Sequence, residues 1–265
     1  MMRQFVFAIF SLLLTGCTTN VSARPGQGSA VYVQVGDSVR LKVDLDRKKI
    51  EPLLNSTAPS APDVHVVNYE SDMDVSSLAS LEGCWRLKAD WKALPSQFGS
   101  VGSTGAGQGS FVIANGVLID TKKRLYLSGV CPRVITSVVT DGDVLLFSRK
   151  EVTGAFTKQG RVLGLEYSDR EVVARADTRG APPSDISHLA GKVRALSLDP
   201  ATGNALVIRE VSRVEAGPGS WLRTLAGHPK QTAEYDLVVV NKLTHTQEVI
   251  KLSLGEPGQA AMVWF

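Results

Sequence analysis

Apolar and polar residues alternate along much of this chain, and the alternation begins near residue 31. Residues 31–35 and 39–43 alternate in polarity, and Gly36-Asp37-Ser38 separates them. A period of two on both sides of a glycine-containing turn predicts a β-hairpin. Two strands alone are only marginally stable in water, so we expect this hairpin to join a larger sheet or to belong to a sheet of a partner.

A run of further hairpins follows from residue 110. Asn115-Gly116, Asp141-Gly142 and Lys158-Gln159-Gly160 each lie between apolar runs, and Asn-Gly and Asp-Gly suit the left-handed positions of tight hairpin turns. Ser168-Asp169-Arg170 is typical of one more turn. Because turn signals recur about every ten residues, the sequence predicts a mostly β protein: an antiparallel β-sandwich or barrel-like domain built from consecutive hairpins, with little helix.

Gly180-Ala-Pro-Pro-Ser184 interrupts this pattern and predicts either a division of the domain or one long loop. We expect a short helical turn at residues 184–189 and another at residues 71–81. The strands then resume, and the last apolar residues are predicted to form a terminal strand that completes the sheet. These later strands are predicted at residues 193–198, 205–211, 237–240, 248–252 and 262–265.

The first residues have a composition typical of export. Arg3 precedes an apolar run at residues 5–14, which is far too short for a membrane-spanning helix of ~20 residues and matches the apolar region of a secretory signal. The run ends in Leu14-Thr15-Gly16-Cys17, which resembles the lipobox of bacterial lipoproteins. The resemblance implies that Cys17 receives a diacylglyceryl group, that the chain is cut before it, and that the new amine is acylated.

Lipid attachment at Cys17 would place the protein firmly on a membrane, because stable anchoring takes more than one acyl chain. Thr18 stands where members of the lipoprotein family retained at the inner membrane tend to carry aspartate. We therefore expect the outer membrane, on its periplasmic face. A plain signal peptide with an unrelated cysteine, or an apolar N-terminus that is not cleaved, are the alternatives.

The resulting organisation has four parts. Residues 1–16 are the predicted signal peptide, and residues 17–30 are the lipid anchor with a polar, flexible tether. Residues 31–72 form a small N-terminal β segment with a linker rich in proline and small residues at 55–63. Residues 73–265 form the main β domain, with a subdivision near residues 180–190 left open.

Charge argues against a nucleic-acid partner. The formal net charge is +3, and the basic residues are scattered along the chain. Arg47-Lys48-Lys49 is a tight cluster, and Asp44 and Asp46 precede it. A nucleic-acid-binding domain is expected to carry a basic patch or stripe, so we expect membrane contact through lipid, and a protein partner in the envelope.

Cysteine usage fits an oxidising compartment. Once Cys17 is assigned to lipid, Cys84 and Cys131 remain, and a disulfide between them is the simple prediction. A redox or metal pair is the alternative, but there is no Cys-x-x-Cys and no histidine near either cysteine in sequence. A disulfide that closes this loop would stabilise the fold by ~4 kcal/mol in the chain-entropy model.

Residues 81–87, Leu-Glu-Gly-Cys-Trp-Arg-Leu, contain a Gly-x-Trp pair at a predicted strand start. This segment is similar to the first-strand motif of lipocalin-like barrels. The resemblance implies that Gly83 lets Trp85 pack across the floor of a barrel, where Trp85 would contact an apolar ligand. The alternative is a core tryptophan beside a disulfide.

No catalytic signature stands out. The four histidines are far apart in sequence, Gly-x-Ser-x-Gly is absent, and the glycine-rich residues 99–109 lack the pattern of a phosphate-binding loop. Asp141 and Asp143 are explained first as turn residues, although paired carboxylates can come from anywhere in a chain. We therefore expect no catalytic residue, no metal and no cofactor, with a cell-wall hydrolase as the alternative.

Together these patterns predict a non-catalytic outer-membrane lipoprotein. Its expected role is a structural or assembly component of an envelope complex, for example a secretion or conjugation machine. A lipocalin-like periplasmic binder or carrier of an apolar ligand is the second hypothesis, and it rests on the segment around Trp85.

Overall fold

A computed structural model describes residues 30–36, 39–53, 68–70, 76–78, 80–98, 111–114, 116–141, 143–177, 179, 181–214 and 231–265. These residues form seventeen strands and two single 3₁₀ turns, at Ser76–Leu78 and Cys84–Arg86. The strands are β1 Ala30–Val35, β2 Val39–Asp44, β3 Lys49–Pro52, β4 Asn68–Glu70, β5 Asp90–Ala93, β6 Phe111–Ala114, β7 Val117–Asp120, β8 Leu125–Ser128, β9 Ile135–Asp141, β10 Val144–Lys158, β11 Arg161–Asp177, β12 Ala181–Ala190, β13 Lys192–Leu198, β14 Ala205–Val214, β15 Gln231–Val240, β16 Gln247–Gly255 and β17 Ala261–Trp264.

The strands form four open sheets, which we number I to IV. Sheet I has the order β17-β1-β2-β3, sheet II β13-β14-β15-β16, sheet III β12-β11-β10-β9 and sheet IV β4-β6-β7-β8-β5. All described pairings are antiparallel except β4 with β6. The protein is therefore mostly β, as the alternation predicted, and its sheets have free edges, which is consistent with a sandwich.

The sheets pack face to face in the order I, II, III, IV. Successive residues of β14 point to opposite faces: Leu206 and Ile208 pack against sheet I, whereas Val207 packs against sheet III. In β10, Leu146 faces sheet II while Phe147 faces sheet IV. Sheets II and III are thus covered on both faces, which explains why their strands contain continuous apolar runs.

The first and last described strands lie side by side. β1 pairs with β2 on one edge and with β17 on the other, and the rings of Tyr32 and Trp264 stack at 6.0 Å. The predicted N-terminal hairpin and terminal strand are both confirmed, and the hairpin joins a sheet of its own chain. The valines of β1 share one core with sheet II.

Three local predictions are wrong. Residues 184–189 belong to strand β12, because the edge of β11 offers hydrogen-bond partners and an edge strand tolerates Pro182 and Pro183. Ser168-Asp169-Arg170 lies inside the long strand β11 and makes no turn. Residues 81–87 contain a 3₁₀ turn at Cys84–Arg86 where the lipocalin resemblance implied a strand.

Several other predictions are confirmed, and two concern residues outside those that the structure describes. The hairpins β6–β7, β9–β10, β10–β11, β13–β14 and β15–β16 occur where their turn residues predicted them. The helical turn predicted at 71–81 is present as the 3₁₀ turn Ser76–Leu78. The linker at 55–63 and the glycine-rich residues 99–109 lie outside the described residues.

Candidate functional site

A cleft of about 410 Å³ opens where sheet III meets sheet II. It is lined by residues 167–171 of β11, by residues 190–192 at the β12–β13 connection, by residues 210–212 of β14 and by Lys150 of β10. Gly191 connects β12 to β13 with φ of 90°, and a Cβ atom there would lie 2.3 Å from the carbonyl oxygen of Glu210. The absent side chain lets the two strands approach closely enough to form the floor of this cleft.

Three basic side chains line the cleft: Lys150, Arg170 and Lys192. All three are exposed, and none forms an ion pair with an acidic side chain in the described part of the chain. The ammonium of Lys150 lies 5.3 Å from the centre of the Tyr167 ring, a cation–π contact that holds both groups at the mouth of the cleft. The three cations can therefore act on a bound molecule.

Glu171 is a buried acid on the wall of the cleft, with 6% of its surface exposed. Burial raises the pKa of Glu171 above its ordinary value, although hydrogen bonds from Thr136 and from the Val193 N–H act against that shift. The Thr136 hydroxyl donates to Glu171 at 2.7 Å and lies 2.7 Å from the hydroxyl of Ser148. These contacts link β9, β10 and β11 of sheet III with β13 of sheet II.

Glu210 is the second buried acid, and its carboxylate is fully used inside the protein. Arg194 Nε donates to it at 2.7 Å and the Gly258 N–H at 2.9 Å. The Ser212 hydroxyl donates at 3.1 Å, and the Tyr235 hydroxyl lies at 3.2 Å. Burial by itself would raise the pKa of Glu210, but the hydrogen bonds from Arg194 and Gly258 outweigh it and lower that pKa.

This network has a structural consequence. Tyr235 also donates to the Glu256 carbonyl at 2.7 Å and accepts from the Gln259 N–H at 3.1 Å. Glu210 therefore ties sheet II to the β16–β17 connection. Because its side chain is only 1% exposed, it is badly placed to contact a substrate, and the cleft does not present the two accessible carboxylates that glycoside hydrolysis needs.

A second feature lies next to the cleft. β10 and β11 continue past the ends of β9 and β12, so residues 151–158 and 161–168 pair only with each other among the described strands. We call these residues the arm. Gln159 and Gly160 both have positive φ at its tip, as in the tight turns that join hairpin strands. At about 3.3 Å per residue the arm reaches roughly 25 Å beyond sheet III.

The arm exposes large apolar side chains among polar ones and is fixed at its base. Phe156 is 58% exposed and Leu163 66%, and Tyr167 is exposed as well. Leu165 is buried against the disulfide. The outer half of the arm thus displays apolar side chains, while its inner half packs on the body of the protein.

Cys84 and Cys131 form a disulfide with a Cα–Cα distance of 5.0 Å, which confirms the predicted pair. Trp85 is half-buried in the same cluster, and the Arg86 guanidinium lies 5.7 Å from its ring. This matches the interpretation of Trp85 as a core residue beside a disulfide. Cys17 lies outside the described residues.

The other candidate residues lie in strands and turns. Lys123 donates to Asp143 at 2.7 Å, and this hydrogen bond lowers the pKa of Asp143. Asp141 ends β9 opposite Val144. His188 lies 3.0 Å from Glu151, and His245 sits in the β15–β16 turn with positive φ. His65 and His228 fall outside the described residues.

The described part of the chain contains neither a metal-binding cluster nor a membrane-spanning helix. No group of three or more His, Cys, Asp or Glu side chains in these ranges is arranged to hold a metal ion. No helix within them has the length and apolar character needed to cross a membrane.

Sequence reasoning missed the cleft and the arm. The cleft residues of β11 were interpreted as a turn, because Ser, Asp and Arg in succession are typical of one. The signal in the sequence was the unusual placement of polar residues inside a strand that is apolar on both sides of them. The sequence indicates the arm only weakly. The length of the arm depends on where β9 and β12 stop pairing with β10 and β11, and the sequence does not show this.

No protein-family model matches this sequence, and no curated protein matches it.

Proposed function

We propose that this protein is a non-catalytic, lipid-anchored component of the outer membrane that serves in the structure or assembly of an envelope complex. The arm is the observation that carries the proposal. Phe156 and Leu163 are exposed on a two-stranded projection with no neighbouring described strand on either side. Exposed apolar patches on proteins usually mark a surface that another molecule covers.

Strand addition suits the arm. Unpaired strand edges are a template for another chain, and native proteins normally cover or blunt them. An envelope protein that added a strand along the arm would gain backbone hydrogen bonds and apolar contacts together. The N-terminal hairpin is less suited to this role, because β1 is paired on both edges.

The membrane anchor is proposed from the sequence. Leu14-Thr15-Gly16-Cys17 resembles a lipobox, and acylation at Cys17 would hold the β domain at the periplasmic face of the outer membrane. The polar residues between Cys17 and β1 would act as the tether that sets the reach of the arm.

The docking role is tested by site-specific photocrosslinking of the full-length protein in intact cells. A crosslinking residue at position 156 or 163 should give one defined adduct with an envelope protein. Leu243, 81% exposed in the β15–β16 turn, is the matched control position. Substitution of the other exposed apolar residue of the arm (Leu163→Ser with the probe at 156) should remove the adduct, whereas Leu243→Ser should leave it. Equal adducts from positions 156 and 243 would contradict the proposal.

The anchor has a separate test. Mass spectrometry of protein purified from membranes should find Cys17 as the first residue, with three acyl chains on it. Cys17→Ser should leave an unprocessed chain without lipid. A mature protein that begins elsewhere and carries no lipid would rule out the anchor while leaving the arm to be tested by crosslinking.

A further inference from the structure

The cleft at the base of the arm has the size of a ligand site. Its volume of about 410 Å³ lies within the range of roughly 300–1,000 Å³ typical of small-molecule pockets. Its floor is held by Gly191 against the backbone of β14 and by the Glu210 network behind it. These supports belong to the framework of sheets II and III, so the cleft does not depend on a partner to form.

Two buried acids of the cleft have hydrogen-bond partners, whereas its three bases have no ion-pair partner among the described residues. Among its acids, the Glu210 carboxylate accepts hydrogen bonds from Arg194 and Gly258, and the Glu171 carboxyl accepts one from the Thr136 hydroxyl. Lys150, Arg170 and Lys192 form no ion pair with the described acids, although Lys150 attracts Glu171 and Arg170 attracts Glu151 at longer range. Asp169 is the one exposed acid along the described lining. The unmatched charge is therefore positive.

Lys150, Arg170 and Lys192 come from three different strands and line one cavity. Arginine and lysine side chains bind phosphate and carboxylate groups through charge-assisted hydrogen bonds. A singly charged group would leave at least one of three cations without a partner. Their number favours a multiply charged oxyanion.

We infer that this cleft binds a phosphate-bearing ligand, held by Lys150, Arg170 and Lys192, with Tyr167 at its mouth. The phosphate can belong to a soluble compound or to a lipid headgroup. This inference does not depend on the arm docking a partner, since Lys150, Arg170 and Lys192 lie outside the arm.

The test uses full-length protein purified in detergent, with two probes. Inorganic pyrophosphate is titrated by calorimetry, and vesicles of phosphatidylcholine with or without phosphatidylglycerol are used for binding by flotation.

We expect Arg170→Gln with Lys192→Gln to weaken binding at least about tenfold, because each charged hydrogen bond contributes substantially. Ala190→Trp keeps every charge but fills the cavity, and it should weaken binding similarly. Lys158→Gln with Arg161→Gln, at the tip of the arm, is the control with the same change of charge and should alter affinity by less than about twofold.

Each result bears on the inference. Pyrophosphate binding that both cleft variants weaken identifies a soluble phosphate compound as ligand. Binding to phosphatidylglycerol vesicles with the same pattern of variants identifies a headgroup. Absence of binding to both probes, equal losses in the cleft and tip variants, or full binding by folded Ala190→Trp would overturn it. Melting temperatures show which variants are folded, and the charge and cavity variants test the site independently.

Discussion

Gly191 joins the cleft to the framework behind it, and its backbone conformation leaves little choice of residue. Its φ is 90°, and an added Cβ would lie 2.3 Å from the Glu210 carbonyl. Gly160 at the tip of the arm also has positive φ, 77°, but an added Cβ there would meet no atom within 4 Å. Substitutions at these two glycines therefore distinguish the cost of backbone strain from the cost of overpacking.

We expect Gly191→Ala to lower the free energy of unfolding by about 2–4 kcal/mol, because strain and overpacking add. Gly160→Ala should lower it by only about 1–2 kcal/mol, from strain alone. Urea unfolding of both variants checks this. Equal losses would mean that β12, β13 and β14 relax around the new methyl group.

Glu171 gives the protein a pH dependence opposite to that of an acid whose pKa is lowered by folding. Burial raises the pKa of Glu171 in the folded state, so between the unfolded pKa of about 4.3 and the folded value the native state binds more protons than the unfolded state. Stability then falls as pH rises through this window. Asp177 behaves in the reverse sense, because hydrogen bonds from Arg179 lower its pKa to about 2.

We therefore expect Glu171→Gln to be more stable than the natural protein at pH 7, with the difference shrinking as pH falls through this window and levelling off below about 4. The amide keeps one acceptor oxygen, which can accept from Thr136 or the Val193 N–H, and it removes the charge. Urea unfolding at a series of pH values measures the difference. A constant difference across the series would show that titration of Glu171 does not cause it.

At the scale of elements, the disulfide and the arm form one unit. Leu165 of β11 packs on Cys84 and Cys131, and the bond closes a loop whose ends are 47 positions apart. The bond therefore restricts the unfolded chain and also supports the inner half of the arm.

Replacement of both cysteines by serine should lower the free energy of unfolding by ~4 kcal/mol. It should also loosen the arm, so trypsin should cut faster after Lys158 and Arg161. Lys242, exposed in the β15–β16 turn, is the control site and should change less. Uniform acceleration at all three sites would indicate global unfolding without a local effect on the arm.

The strands and turns also show which local structures the sequence patterns can predict. Hairpins with Asn-Gly or Asp-Gly turns were predicted correctly, since those residues encode the backbone conformation directly. Residues 184–189 were predicted as a helical turn because their strand conformation comes from the edge of β11, a contact distant in sequence. Cys84–Arg86 shows the same limit: the Gly-x-Trp pair indicated a buried tryptophan but not the type of element around it.

The candidate sites were less predictable than the fold. Cys84 and Cys131 could be paired by elimination, whereas the cleft joins residues from five strands, and no local pattern links Lys150 with Lys192 or Glu210. The arm depends on where β9 and β12 end, which is a property of packing. In the sequence, only the polar residues 168–170 stand out from the apolar residues around them. The sequence does not show that these residues line a cleft.

For the whole molecule, the order of the four sheets predicts an uneven distribution of stability. Sheets II and III are covered on both faces, while sheet I has only one apolar neighbour among the described sheets. Trp264 fixes the edge of sheet I and is only 4% exposed; its neighbour Phe265 is 39% exposed.

Trp264→Ala should lower the free energy of unfolding by about 3–5 kcal/mol, and Phe265→Ala by less than about 1 kcal/mol. Hydrogen exchange should accelerate most in β1 and β2 of the Trp264 variant and least in β10 and β11. Equal acceleration in all sheets would contradict a separately weakened sheet I.

The pairing of β1 with β17 also sets the order in which this protein can be built. Trp264 lies 232 positions after its partner Tyr32, so one edge of β1 has no partner until nearly every other strand has been synthesised. Contacts so distant in sequence are slow to form. Sheet I is therefore the last layer to close, and a chain caught during synthesis would still expose the valines of β1.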